Sequence, residues 1–178
     1  MNEEIIIAGF GGQGVLSMGK ILAYSGVMQD MEVSWMPSYG PEMRGGTANC
    51  TVIISDDEIG SPQVQNPRAV IVMNQPSLDK YEDLVKPGGY LAINTSMTNR
   101  LSNREDIHMI ALPATEMAEE LGDKRLANSI MLGALAAHAD FLNLESVEKG
   151  FAKSLSSDKK ALIELNVKAL QKGAAYPD

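Results

Sequence analysis

Two stretches of this chain carry residue types and spacings that could do chemistry. The first is Gly9-Phe10-Gly11-Gly12-Gln13-Gly14, which fits G-x-G-x-x-G. It lies between an apolar run that reads as a strand and a segment that reads as a helix, the context in which such a motif acts. A tight turn, backbone N–H groups left free at a helix start and the positive end of a helix dipole together can hold a phosphate. The same glycines equally suit close packing of the first helix on a sheet. A dinucleotide site also wants an acidic residue at the end of the second strand, about 20 residues on. Glu32 has that spacing but begins its strand, which closes as Trp35-Met36-Pro37 without an acid, and no arginine precedes Arg44.

The second stretch is Pro37-Ser38-Tyr39-Gly40-Pro41-Glu42-Met43-Arg44-Gly45-Gly46-Thr47-Ala48-Asn49-Cys50. Loops at strand carboxyl ends line the ligand crevice of an α/β sheet, so this one is expected on the same edge as the glycine turn. Arg44 is always charged and can grip a carboxylate or phosphate with two parallel bonds. Gly45-Gly46 permits close backbone approach. A local Glu42–Arg44 ion pair among turn glycines is the plainer reading of Arg44 alone. The whole stretch, with its prolines, glycines and ion pair, is more than a connection needs.

Other reactive residues read as structural. His108 and His138 have no metal-ligand spacing, His108 opening a strand and His138 lying mid-helix. Cys50 falls in a strand beside Thr51 and reads as buried and inert. Met28, Met31, Met36 and Met43 sit near the second stretch, and methionine packs adaptably on protein-docking surfaces. The acidic run Ser55-Asp56-Asp57-Glu58 reads as a solvated turn.

The elements that position these residues follow from periodicity. Strands are expected at Glu4–Ala8, Glu32–Met36, Asn49–Ser55, Ala69–Met73, Tyr90–Asn94 and His108–Leu112. Helices are expected over Val15–Met28 and Ser77–Val85, the latter stopped by Lys86-Pro87-Gly88-Gly89. Pro37–Gly46 reads as a loop. After Pro113 the chain turns helical: Ala114–Leu121, Ala127–Leu142, Leu144–Leu155 and Lys159–Lys172, with Asn143 and Ser157-Asp158 as caps. This predicts an α/β fold, a three-layer α/β/α domain over residues 1–178 with a largely parallel or mixed sheet and a helical C-terminal third. The direct passage from the second strand to the third departs from a plain doubly wound order.

Composition narrows the functional classes. In 178 residues, hydrophobic types make up 44% and charged types 21%, values of a globular chain rather than a disordered one. Lys+Arg 15 against Asp+Glu 23 leaves a net charge of −8. That balance argues against nucleic acid and anionic membranes as partners. A single cysteine cannot form an internal disulfide and cannot hold an iron–sulfur cluster. No apolar run reaches membrane-span length, and the start, Met1-Asn2-Glu3-Glu4, is acidic where a signal peptide is basic. A cytoplasmic protein is expected.

GFGGQG followed by PSYGPEMRGGTANC, in that order and at that spacing, resembles the gamma subunit or gamma domain of 2-oxoacid:ferredoxin oxidoreductases. The resemblance covers nearly the whole chain, since IGSPQVQNPRAVIVMNQPSLDKYEDLVKPGG and NSIMLGALAA also fit the family's pattern. It is closest to the 2-oxoglutarate type. The pyruvate type tends to carry a second basic residue before the glycine of the second loop and a smaller residue after it, and Met43 and Gly46 depart from that.

The resemblance implies a complex that converts a 2-oxoacid, CoA and oxidised ferredoxin into acyl-CoA, CO2 and reduced ferredoxin. That complex uses thiamine diphosphate with Mg2+, and [4Fe–4S] clusters. This chain lacks the thiamine signature, because Gly122-Asp123 continues as Lys124. It is therefore expected to bind no cofactor alone and to work with alpha and beta subunits and a ferredoxin-like delta subunit, serving ferredoxin indirectly. Its expected roles are to shape the active-site interface and to help hold CoA. Gly9, Gly11, Gly12, Gln13 and Gly14 are the candidate ligand-binding turn. Ser38, Tyr39, Glu42, Arg44, Gly45 and Gly46 are the candidates for contacting partner or CoA, with no catalytic or metal residue. An exposed docking surface also implies a homodimer or mild self-association when the chain is alone. A stand-alone nucleotide-binding oxidoreductase and a purely structural subunit are the alternatives.

Overall fold

The structure is a computed structural model that describes residues 1–39 and 47–177. Six strands form one mixed sheet in the order β2-β3-β1-β4-β5-β6. They are β1 (Asn2–Phe10), β2 (Glu32–Tyr39), β3 (Thr47–Ser55), β4 (Ala69–Val72), β5 (Tyr90–Asn94) and β6 (His108–Leu112). The runs EIIIA, AVIV and YLAIN become the central parallel strands β1, β4 and β5. Buried on both faces, they have no polar side to show and read as continuous apolar runs. β3 instead pairs antiparallel with both β1 and β2, which makes the sheet mixed.

One face carries α1 (Val15–Val27), α3 (Ala114–Glu120), α4 (Ala127–His138), α5 (Leu144–Ser154) and α6 (Lys160–Ala174), packed on Ile5, Ile7, Val52, Ile54 and Ile71. The opposite face carries α2 (Gln75–Tyr81) and a 3-10 turn, Glu82–Leu84, which close a smaller core around Ile6, Val70, Val72, Leu91 and Ile93. Helix α4 is buried nearly all round, because α6 lies over it on the side away from the sheet.

Several boundaries differ from expectation. Pro37, Ser38 and Tyr39 extend β2 rather than opening a loop, since β3 is long enough to pair with them, Tyr39 opposite Ala48. Helix α4 stops at His138, so that histidine is terminal rather than mid-helix, its Nδ1 2.8 Å from the Ala134 carbonyl oxygen. Asn143 caps α5 by accepting the Ser146 N–H at 3.1 Å. Ser157-Asp158 does not cap α6; those residues form a 3-10 turn, and α6 starts without a side-chain cap. Among the described residues, no helix is long and apolar enough to cross a membrane.

Candidate functional site

The glycine turn joins β1 to α1 at the carboxyl edge of the sheet. Gly14 caps α1 in the left-handed region, at φ 75°, and Gly12 is left-handed too, at φ 92°. Both positions favour glycine for that reason. Gly9 is a glycine for space: a β-carbon there would press on the Gln13 amide, Val15 and Met73. Gln13 has its side chain committed inside the turn. Its Oε1 accepts the Phe10 N–H at 2.6 Å and the Asn74 amide at 3.3 Å, and its Nε2 donates to the Met73 carbonyl at 3.2 Å. Gln13 is thus a positioning residue that ties the β1 turn to the end of β4, and its side chain is not free to hold a cofactor.

That tie falls where the sheet order changes direction. From β1 the chain runs to β2 on one side, while β4, β5 and β6 lie on the other, so the crevice between β1 and β4 is the topological switch point. The turn divides two clefts there. One, of about 280 Å³, lies between Gly11–Gly12, the first turn of α1 and Thr47–Ala48. The other, of about 400 Å³, lies between Gly12–Gly14, Met73, Thr115, Lys124 and Asn128. The start of α1 meets the start of α4 at the second cleft, where Asn128 packs against Gly14. The first N–H groups of α1 have no intrahelical partner and carry partial positive charge. Helix α4 instead continues from a 3-10 turn, Lys124–Leu126, and its Ala127 and Ser129 N–H groups bond to the Lys124 carbonyl and the Asn128 side chain.

The electrostatics of the second cleft distinguish its two cations. Arg125 is held by Asp123, Nε to Oδ1 at 3.0 Å and Nη2 to Oδ2 at 2.8 Å, and the guanidinium holds the Asp123 carboxyl below the usual carboxylate range. Lys124 is exposed and forms no ion pair with a described residue. Among the described residues, the cleft therefore carries one positive charge with no ion-pair partner, that of Lys124, near the start of α1.

The register fixes where the second sequence stretch begins and ends. β2 runs in the same direction as β1, and Phe10 pairs with Thr47 while Tyr39 pairs with Ala48. Both ends of the β2–β3 hairpin therefore lie beside the glycine turn. Ser38 is exposed. Glu42, Arg44, Gly45 and Gly46 lie outside the described residues, as does Met43. Glu32 stands at the opposite edge, paired with Ser55, which pairs in turn with Asn2. It is a strand's length from the turn and cannot serve a ribose bound there.

Next to the hairpin, Val27, Met28, Trp35 and Met36 are exposed. Met31, by contrast, packs against the core. Trp35 lies over Gly19 and Cys50. Cys50 is fully buried, its thiol donating to the Val15 carbonyl at 3.4 Å, and burial pushes it from 9.0 up to about 12 against smaller opposing hydrogen bonds from Trp35 and Gly19. Ellman's reagent at pH 8 should leave Cys50 unlabelled in the native chain and label it on denaturation; rapid native labelling would refute this burial. The sign for stability follows. The folded state keeps the proton while the unfolded thiol ionises, so this contribution is lost as pH rises above 9.0.

His108 stacks on Tyr90, with centroids 5.0 Å apart. Among the described residues, no group of three or more His, Cys, Asp or Glu could hold a metal ion. Lys124, Thr115 and Asn128 were not singled out from sequence as site residues. Asn128 opens NSIMLGALAA, but nothing in its local pattern signals that it meets Gly14.

Residues 4–176 match the family model described as pyruvate ferredoxin/flavodoxin oxidoreductase. The chain is 42% identical over 177 residues to the ketoisovalerate oxidoreductase subunit VorA of Methanothermobacter marburgensis, covering 97% of this chain and 36% of that one. It thus spans about a third of that relative's length. It is 37% identical over 176 residues to the 2-oxoglutarate synthase subunit KorC of Methanocaldococcus jannaschii, covering 97% and 92% of the two chains. Among solved structures, the gamma subunit of a keto/oxoacid ferredoxin oxidoreductase from Geobacter sulfurreducens matches with a TM-score of 0.85 at 30% identity, over 98% of this chain and 95% of that one.

Proposed function

The chain belongs to the pyruvate ferredoxin/flavodoxin oxidoreductase family, and from that premise we propose that it is the gamma subunit, or gamma portion, of a cytoplasmic 2-oxoacid:ferredoxin oxidoreductase. The observation that carries this reading is the span of the match, residues 4–176, which takes in the glycine turn, the hairpin and the C-terminal helices together. The partners are alpha and beta subunits and a ferredoxin-like delta subunit, with ferredoxin receiving the electrons. Thiamine diphosphate with Mg2+ supplies the carbanion chemistry on a partner chain, and [4Fe–4S] clusters on partner chains carry electrons singly. Cys50, buried with its thiol bonded to a carbonyl, does not fit a cluster ligand.

The chain's own part is to bind and orient. The switch-point clefts admit a phosphate-bearing chain against Gly11, Gly12 and Gly14, and Lys124 offers the anion a charge that no described residue pairs with. We assign this position to CoA. We assign contact with the partner active site or CoA to Ser38 and Tyr39 at the end of β2 and to Glu42, Arg44, Gly45 and Gly46 of the following stretch. The exposed Trp35 and Met36 of edge strand β2, which leads into this stretch, are assigned as further partner contacts.

The oxoacid is 2-oxoglutarate in this proposal, in line with the 37% identical KorC relative. The 42% identical ketoisovalerate relative favours a branched 2-oxoacid as the second reading. The test is reconstitution with the partner subunits. Dye reduction should require 2-oxoacid, CoA and all subunits, and the lone chain should be silent. A panel of 2-oxoglutarate, 2-ketoisovalerate and pyruvate separates the substrates. In the complex, Arg44→Ala should raise KM for CoA or weaken assembly while leaving the lone chain's thermal unfolding unchanged, with partial rescue by Arg44→Lys. Turnover by the lone chain, or unfolding by Arg44→Ala, would overturn the assignment.

A further inference from the structure

The two ends of the sheet are built differently. At the β2 edge, Glu32 places a charge at one end and Pro37 removes a backbone donor further along. Charge and proline are the usual protections of an exposed strand edge. Within β6 itself neither is present; Pro113 follows only after its last residue. From Ile107 to Thr115 the chain reads IHMIALPAT, without Asp, Glu, Lys or Arg.

The hydrogen bonding of β6 shows which groups remain. The His108 N–H donates to the Gly89 carbonyl at 2.8 Å, and β6 runs parallel to β5 with Tyr90 opposite His108. In a parallel ladder alternate residues bond to the same neighbour, so His108, Ile110 and Leu112 face β5. Met109 and Ala111 therefore turn their N–H and C=O groups outward, where no described strand pairs with them. A groove of about 490 Å³ follows this edge, with Ile107–Ala111 along one side and Ala134 and Tyr176 on the other. Met109 is 40% exposed in it.

We propose that the β6 edge is a homodimer surface, on which a second copy of this chain adds its own β6 antiparallel. Centred on Ile110, the pairing sets Met109 opposite Ala111 of the other copy and Ala111 opposite Met109. Each pair then exchanges both of its hydrogen bonds. The arrangement is isologous, so one short strand satisfies both partners. The charge pattern selects a second copy as occupant. A chain of net charge −8 repels itself over most of its surface, and this uncharged strip is where two copies meet without facing like charges. Asp106, the acid nearest β6 in sequence, is already held by Arg104 at 2.6 Å.

Sedimentation equilibrium of the full chain over a wide concentration range tests this. The wild type should fit a monomer–dimer equilibrium. Met109→Lys should raise the dimer dissociation constant roughly tenfold or more, because it sets a charge against the facing copy. Met109→Pro should do the same by removing one outward donor. Met36→Lys, on the other edge, should leave the dimer intact. Thermal unfolding of each variant reports folding. Should both Met109 variants fail to fold, hydrogen exchange of the wild type decides: the Met109 and Ala111 amides should slow as concentration rises. A wild type that stays monomeric, a dimer lost by Met36→Lys instead, or amides protected only when a partner subunit is added, would overturn the proposal.

Discussion

Replacing Gly133 by alanine should melt the chain about 10 °C lower, at roughly 2–4 °C per kcal/mol for a protein of this size. The cause is the crossing of α4 and α6. A β-carbon at Gly133 would fall on the carbonyl oxygen of Leu170, and one at Gly173 on that of Ile130. The contact is reciprocal, glycine against backbone on both helices, so neither helix has a flexible side chain that can move aside. Alanine gains up to about 1 kcal/mol of helix propensity over glycine. Overpacking a tight core costs about 1–3 kcal/mol and sometimes more, and backbone-on-backbone collision belongs at the upper end. Net destabilisation of about 3 kcal/mol is expected for Gly133→Ala, a similar loss for Gly173→Ala, and less than additive loss for the pair, because separating the helices once relieves both. Gly60→Ala, where a β-carbon meets nothing within 4 Å, is the control and should change stability little. Calorimetry of these four variants beside the wild type checks this; a Gly133→Ala melting point equal to that of Gly60→Ala would mean that the helices do not cross so closely.

Gly14→Val should be the most damaging change in the glycine turn. Gly14 sits at φ 75°, and a β-carbon there would strike the Asn128 amide at the start of α4. A β-branched residue held in the left-handed region costs about 1–3 kcal/mol before any clash is counted. Gly12→Ala separates the two effects. Gly12 has φ 92° but open space around its β-carbon position, so it should show the conformational cost alone. Both variants should lower the melting point, Gly14→Val more. Under the proposed function both should impair CoA-dependent turnover of the assembled complex, Gly12→Ala by placing a methyl group in the cleft and Gly14→Val more severely, because it also pushes Asn128 into it. Equal melting points for the two variants would show that Asn128 yields freely.

Surface ion pairs offer a smaller, pH-dependent effect. Arg100 joins Asp79 and Glu82, at 2.6 Å each, and hydrogen bonding to the guanidinium holds both carboxyls below their usual range. A depressed carboxyl contributes stability above its unfolded value and loses it as pH falls through the folded one. The pairs are partly exposed, so the contribution is modest. Arg100→Ala should return both carboxyls toward ordinary titration, as carboxyl NMR can read.

By itself the sequence determined the elements and the kind of layer they form. Ile5–Ile7, Val70–Val72 and Leu91–Ile93 read as strands covered on both faces of a largely parallel or mixed sheet, because no polar face alternates along them. Asn143 was legible as a helix cap, since its side chain offers an acceptor to an N–H three residues on, though Ser157-Asp158, which read the same way, do not cap α6. The glycine turn was legible as a strand-to-helix junction for the same local reason, and the family's pattern in both loops could be read directly. Tertiary structure decided what depends on distant partners. Pairing with β3 drew Pro37–Tyr39 into β2 and set the hairpin antiparallel in an otherwise parallel sheet. Contact with β4 turned Gln13 from a ligand candidate into the clasp of the turn. Packing of α4 brought Asn128 to Gly14 and Lys124 into the cleft, across more than a hundred residues of chain. Strand order left Met109 and Ala111 with outward-facing backbone. Strand and helix propensity act over a few residues, whereas pairing and packing are settled only when the whole chain competes for the same core.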